Sequence, residues 1–267
     1  MFHAGDQIVP AVDVRAESLL FARGIHKRFG GVHALRGVDL VVGAAEVVAL
    51  VGDNGAGKST LVKTIAGAHQ PDLGEIYFAG SPVHLSRPAD STRLGIATIY
   101  QDLALCDHLD VVANLFLGRE RRRRPGVLDE LDMETTTIDL LKGLSTNPPP
   151  PRALVGSLSG GQRQVVAIAR ALLADPKVVL LDEPTAALGV SQTHDVLNLI
   201  RLLRSQGRGV LLISHNLDDI FNVADRITVL RLGQNAAEFT VSECTREAVV
   251  HAITGADLPI TRERTGI

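Results

Sequence analysis

Cysteine is nearly absent from this chain: among 267 residues only Cys106 and Cys244 occur, far apart in sequence. That spacing excludes a disulfide framework and a zinc ribbon, and it fits a reducing compartment. An excess of basic charge is also missing. The formal net charge is −3 and the isoelectric point is about 6.3, so no global positive field is available for nucleic acid. Long hydrophobic runs are missing too. Hydrophobic residues make up 45% of the chain and mean hydropathy is +0.17, yet the best run, residues 38–51, is broken by Asp39, Gly43 and Glu46. No run approaches the ~18–20 apolar residues of a transmembrane helix. The first residues carry Asp6, Asp13 and Glu17 and no apolar stretch, so no secretory signal is expected there. No internal repeat is visible. The expectation is an apolar α/β protein of cytoplasmic character, in one large domain or two small ones, long enough to need no covalent staple.

Short β-branched segments are expected as strands at residues 19–21, 38–42, 47–51, 76–78 and 96–100, with a turn at 80–82. The apolar runs 178–181 and 210–213 read as buried strands, and 227–230 as another before a hairpin turn at 233–234. Helical spacing predicts helices over 59–68, 161–173, 191–205, 216–223 and 245–253, with Asp110 capping a further short one. Buried strands alternating with helices imply a parallel sheet covered on both faces. Residues 103–174 differ in character: mainly helical, with a basic run at 119–124 that reads as a solvated helix end and a proline run at 148–151 that reads as a stiff spacer. Residues 1–17 have no clear period and are expected to be an extended or disordered lead.

Gly52, Asp53, Asn54, Gly55, Ala56, Gly57, Lys58, Ser59 and Thr60 fit G-x-x-x-x-G-K-[ST] between a strand and a helix. Glycines let backbone N–H groups converge on phosphates, and the helix start adds unpaired amides and its positive dipole end. Lys58 would reach the β- and γ-phosphates of a nucleotide and the Ser59 hydroxyl would bind Mg²⁺. Asp182 and Glu183 end an apolar strand. At the carboxyl edge of an open sheet, Asp182 suits the Mg²⁺ shell and Glu183 suits orienting or deprotonating an attacking water. Leu158, Ser159, Gly160, Gly161 and Gln162 open a second anion-ready helix. One nucleotide does not need two such sites, whereas two chains placed head to tail could each lend this loop to the other.

At these residues the sequence resembles the nucleotide-binding subunit of ABC transporters, whose LSGGQ motif Leu158–Gln162 matches. The resemblance covers most of the chain and implies a P-loop NTPase (RecA-like) core with a mostly parallel sheet, an N-terminal antiparallel β subdomain and an inserted helical subdomain at about 103–174. The cassette would span 18–232, followed by a hairpin and helix at 233–267. It implies that Phe29 stacks on adenine, that Gln101 senses Mg²⁺ and the γ-phosphate, and that His215 contacts the γ-phosphate. Glu183, His215, Gln101 and Lys58 would be the catalytic set, Ser59, Gln101 and Asp182 the Mg²⁺ ligands. One position departs: after Leu188 the family usually has Asp, and here stands Gly189, which puts coupling between the two hydrolysis events in doubt. Tyr100–Leu103 and Asn114–Glu120 look like the ribose, xylose and fructose importer cassettes. In that class two cassettes are often fused in one chain; a single cassette suggests a homodimer. The implied protein is an ATPase at the cytoplasmic face of a bacterial cell membrane, driving sugar uptake through a permease and partnered indirectly with a substrate-binding protein, with no nucleic-acid partner. The alternatives are an amino-acid importer subunit, a non-transport ABC ATPase, which usually carries a second cassette or a basic surface, and a small-molecule P-loop kinase, which would lack Ser159–Gly161.

Overall fold

The computed structural model describes residues 18–145, 147–186 and 188–255. The expected lead 1–17, the end of the chain after Gly255 and Ala187 lie outside the described residues. Two long strands open the fold, β1 (Ser18–Phe29) and β2 (Val32–Gly43). They form an antiparallel ribbon with several register shifts, extended by β4 (Leu73–Phe78) and β5 (Ser81–Val83) into a sheet of order β2-β1-β4-β5. Both opening strands are far longer than the β-branched segments suggested. They also carry His26, Lys27, Arg28 and Arg36, polar residues that a search for apolar runs passes over. Pro82, expected in a turn, sits instead on the edge strand β5, where a missing N–H is tolerated.

The central sheet has the order β12-β11-β3-β10-β9-β6. Its strands are β3 (Val47–Val51), β6 (Ile96–Ile99), β9 (Val178–Asp182), β10 (Gly209–Ile213), β11 (Arg226–Arg231) and β12 (Gln234–Thr240). All neighbours are parallel except the β11–β12 hairpin at the edge. The buried runs divide between two cores with the period of a strand. Val47, Ala49, Val51, Val179, Leu181, Val210 and Leu212 face one core. Val48, Leu50, Val178, Leu180, Leu211 and Ile213 face the other, together with α1 (Lys58–Ile65) and the antiparallel sheet. The excess of apolar residues is thus consumed by a sheet buried on both sides. Among the described residues no helix is long and apolar enough to cross a membrane.

The first core is covered by α3 (Val111–Phe116), α4 (Glu130–Leu144), α5 (Gly160–Leu172), α6 (Val190–Ser205), α7 (Leu217–Val223) and α8 (Arg246–Thr254). A further short helix, α2 (Pro88–Leu94), carries no apolar stripe and gave no periodic signal; Pro88 opens it. The basic run 119–124 is no helix end: β7 (Arg122–Arg124) pairs with β8 (Val127–Leu128) in an antiparallel hairpin around Gly126. Gly126 takes a left-handed φ of 81° that favours glycine.

The chain after β6 is held by two side chains. Asn114 is fully buried, accepts from the Cys106 N–H at 2.7 Å and donates to the carbonyls of Cys106, Leu109 and Asp110. A buried amide this fully bonded fixes a loop that has no regular structure of its own. Arg170 of α5 donates to the carbonyls of Leu103 and Ala104 at 2.6 and 2.7 Å. The segment following Gln101 therefore moves with the helix that Ser159 caps.

Candidate functional site

The glycine-rich loop leaves the buried strand β3 and turns into α1. Gly52 has φ 151°, and a Cβ there would collide with the Leu230 carbonyl oxygen. Gly57 has φ 106°, and its Cβ would meet Ala34 O and Leu35 Cδ2 at 2.8 Å. Only glycine fits either place. A short relay fixes the loop from behind: the Arg36 N–H donates to Gly233 O at 2.7 Å, and the Gly233 N–H to Ala56 O at 3.1 Å. Gly57 caps α1 without a side chain, and no acidic residue occupies the first turn. The N–H groups that open the helix keep their capacity for an anion. The Lys58 ammonium donates to the carbonyls of Gly52 and Asp53 at 2.7 and 3.1 Å, which holds it across the loop.

The acids arrive by strand register. β9 and β10 pair so that Asp182 lies opposite Ile213. One step further, the Glu183 N–H donates to Ile213 O at 2.9 Å. Glu183 and the Ser214–His215 pair thus leave adjacent strands together, and Glu183 Oε2 lies 2.8 Å from His215 Nδ1. Glu183 takes φ 51°, a left-handed conformation that costs about 1–2 kcal/mol in a non-glycine residue. The next turn is anchored: Thr185 Oγ1 donates to the buried Asp219 at 2.7 Å, and Asn216 caps α7 through the N–H groups of Asp218 and Asp219.

Two cavities meet at this loop. One, of about 480 Å³, is lined by Val51, Gly52, Asp53, Asn54, Lys58, Glu183, Ser214, His215, Leu217 and Ile253. The other, of about 550 Å³, runs from Phe29, His33 and Arg36 to residues 54–60. Asn54 and Lys58 belong to both. The space suits an elongated molecule with an anionic end at Lys58 and a flat end at Phe29. Phe29 is no core residue: its ring is 43% exposed, edge-on to His69 at 5.1 Å.

Asp182 stays outside the cavity wall, half-buried beside it. Burial first, then the neighbouring Glu183 charge, pushes its pKa up, against the pull of Lys58 and Lys63. Tyr100 is raised by burial and then by Asp182, so the end of β6 and the end of β9 lie side by side. Gln101 follows two residues after Ile99, which pairs with Leu181. It is exposed and lines neither cavity. Nor do Ser159, Gly160, Gly161 and Gln162 reach either cavity. Ser159 caps α5 by accepting from Gln162 N–H, and the Ser159 N–H in turn donates to Gln162 Oε1 at 3.1 Å. Behind them, Cβ atoms at Gly160 and Gly161 would press on Leu188 and Gln192 at 2.9 and 3.1 Å. Gly189 caps α6 with open space around its Cβ position.

Sequence reasoning missed several wall residues. His33 and Arg36 reach the flat end of the cavity from β2. Leu217 and Ile253 give the Glu183–His215 end an apolar side. Ile253 comes from α8, and only the tertiary fold brings it back. Among the described residues no three of His, Cys, Asp and Glu cluster as a metal cage. The oxygen donors around the loop include the Ser59 and Thr60 hydroxyls and the Asp53 and Glu183 carboxylates, with Asp182 beside the wall. Such an oxygen set fits Mg²⁺, which keeps waters and takes substrate phosphate oxygens.

Comparison with known proteins follows this geometry. Residues 35–186 match the family profile described as ABC transporter. The chain is 49% identical to the xylose/arabinose import ATP-binding protein of Sulfolobus acidocaldarius, over 81% of this chain and 86% of that one. It is 44% identical to the fructose import ATP-binding protein of Rhizobium meliloti, over 91% and 96%. Among solved structures, the ADP conformation of an ABC transporter's ATP-binding cassette superposes with a TM-score of 0.75 at 30% identity, over 90% of this chain and 99% of that one. A dimeric, post-hydrolysis cassette bound to ADP and Pi gives 0.70 at 25% identity, over 83% and 98%.

The raised pKa of Asp182 has a sign that can be checked. The folded state holds this proton more tightly than the unfolded chain, for which ~3.9 is usual. Ionisation therefore costs stability as pH rises above that value, and the cost is complete above the folded pKa. Asp182→Asn should unfold at a higher temperature than the parent at pH 7 without nucleotide or Mg²⁺, and the difference should shrink towards pH 4. Thermal unfolding across pH measures it; a variant less stable at pH 7 would contradict the burial argument.

Proposed function

The chain belongs to the ABC transporter family, and from that premise we propose that it is the ATP-hydrolysing subunit of a sugar importer. One observation carries the catalytic part: a lysine-bearing phosphate loop and a Glu–His pair share one cavity wall. The transported class rests on the relatives, named for import of xylose, arabinose and fructose. These names favour sugar over the amino-acid alternative.

In this reading ATP lies along the two joined cavities. Phe29 takes the adenine face, and residues 52–60 wrap the phosphates with backbone N–H groups. Lys58 leaves its carbonyl partners for the β- and γ-phosphates. Glu183 holds the attacking water and accepts its proton as the water oxygen bonds to the γ-phosphorus and the bond to the bridging oxygen breaks. His215 keeps Glu183 aimed and reaches the γ-phosphate. Ser59, Asp182 and Gln101 would hold Mg²⁺, which when bound neutralises phosphate charge. Gln101 would join on closure, since the segment behind it is tied through Arg170 to α5.

The site lacks a group on its open side. Ser159, Gly160 and Gln162 stand at the start of α5 in the same chain yet outside both cavities. A second copy placed head to tail would bring its Ser159–Gly161 to the γ-phosphate, closing each ATP between two chains. The dimeric cassette among the structural relatives supports this arrangement. Loss of the γ-phosphate would then release the dimer, and a permease seated by the segment after Gln101 would feel that opening.

The test is reconstitution with the membrane permease and substrate-binding protein of a monosaccharide importer. ATPase activity should rise on adding xylose, arabinose, ribose or fructose, and amino acids should leave it unchanged. Stimulation by an amino acid and by none of the sugars would overturn the substrate class. In the same assembly Glu183→Gln should keep nucleotide affinity and lose turnover by at least ~100-fold, the low end of general-base contributions. Parental turnover would remove Glu183 from its role.

A further inference from the structure

The basic run 119–124 is not absorbed by the catalytic reading. Folded, it divides its arginines into two sets. Arg121 and Arg123 are bound. Arg121 Nη1 lies 2.7 Å from Asp132 Oδ2 and 2.8 Å from Thr136 Oγ1, and its guanidinium covers the Phe116 ring at 5.2 Å. Arg123 Nε lies 3.2 Å from Asp129 Oδ1. These contacts tie the hairpin to the start of α4. The pairing register shifts between Arg122 and Arg124, so a bulge, not regular strand alternation, places these two. Among the described residues neither makes an ion pair or a side-chain hydrogen bond. Glu120, the nearest acid in sequence, accepts from the Gly118 N–H at 2.9 Å, and the charge of Arg122 reaches it without a direct bond.

The cross-strand partners of these two arginines are Leu128 and Val127, which are 43% and 50% exposed. Leu131, in the first turn of α4, is 68% exposed. Every residue from 121 to 128 is exposed, so the hairpin offers no groove and no socket. It presents two guanidinium groups without a hydrogen-bonded partner, and two aliphatic side chains, on a rib braced by the salt bridges of Arg121 and Arg123.

We propose that this exposed hairpin, through Arg122, Arg124, Val127 and Leu128, is a contact for an anionic lipid surface. Guanidinium forks suit phosphate oxygens, and aliphatic side chains gain by entering the headgroup boundary. A convex rib without a pocket fits a partner that moulds to it. Lipid headgroups do so, whereas a folded acidic protein needs shape as well as charge. The inference rests on the importer reading only for its setting beside a membrane.

The experiment is co-sedimentation of the full chain with vesicles of 30% phosphatidylglycerol in phosphatidylcholine, against pure phosphatidylcholine, at low and high salt. Binding is expected on the anionic vesicles alone and should fall with salt. An arginine near such a surface contributes about fivefold to partitioning. Arg122→Gln with Arg124→Gln should therefore weaken binding about 25-fold and leave basal ATPase activity unchanged. Arg87→Gln with Arg93→Gln, an equal charge loss elsewhere, should change binding little. Absence of binding, equal binding to neutral vesicles, or equal loss in the two double variants would overturn the proposal. So would loss of sugar stimulation by the first double variant in neutral-lipid proteoliposomes with vesicle binding unaffected, since the hairpin would then read the permease. Failure of the sugar test with vesicle binding intact would strike the importer reading alone.

Discussion

The pairing of β9 with β10, with Asp182 opposite Ile213, is the constraint on which the rest of the site depends. Parallel strands that start level end level. The acids after β9, the serine and histidine after β10 and the phosphate loop after β3 therefore leave the sheet at one edge. The backbone bond from Glu183 to Ile213 carries that alignment one residue beyond the regular strand, and the contact between Glu183 and His215 follows from it. A slip of one residue would turn every side chain of β9 to the opposite core. Both cores are apolar, but one carries helices and the other the antiparallel sheet, so their shapes forbid the exchange. The hydrophobic packing that stabilises the protein is in this way also what aims the carboxylate.

Two adjacent acids then meet different surroundings. Asp182 remains within the sheet layer, where burial and its neighbour's charge raise its pKa. Glu183 has left the layer through a left-handed turn and faces the cavity beside His215. The strain of that turn is held by a short anchored segment, in which Thr185 is bound to the buried Asp219 of α7. The same α7 begins directly after His215, so one small unit fixes both members of the pair. In the proposed reading, the residue that contacts the γ-phosphate and the residue that handles water share their support.

Much of this was legible in the sequence, and for physical reasons. The phosphate loop can be read because its work is done by backbone, and the residue types that permit its conformation are few. The runs at 178–181 and 210–213 can be read because a strand buried on both faces tolerates no polar residue. The Asp182–Glu183 pair follows from where such a run ends. Other features are carried by distant parts of the chain and leave no local mark. β1 and β2 also carry polar residues, so the strands looked short. Ile253 closes the wall beside His215 from near the end of α8. The arginines of 119–124 read as one solvated charge run, but, among the described residues, contacts with Asp129, Asp132 and Thr136 bind Arg121 and Arg123 alone into ion pairs and hydrogen bonds. Gln101 is singled out by family resemblance alone, and it stands exposed, away from both cavities. The separation of the phosphate loop from Ser159–Gly161 follows from having two anion-ready helix starts, and it carries the proposal that a single chain is half of an enzyme.

That claim, a nucleotide site completed by a second copy, is tested most directly by mixing two disabled chains. Lys58→Ala spoils the phosphate loop and keeps Ser159; Ser159→Arg spoils the lent surface and keeps Lys58. Each alone should have little ATPase activity. Mixed in equal amounts with the permease, they form some heterodimers with one intact site, and activity should rise well above the sum of the two separate preparations. A mixture that never exceeds that sum would contradict the shared site and return catalysis to the single chain.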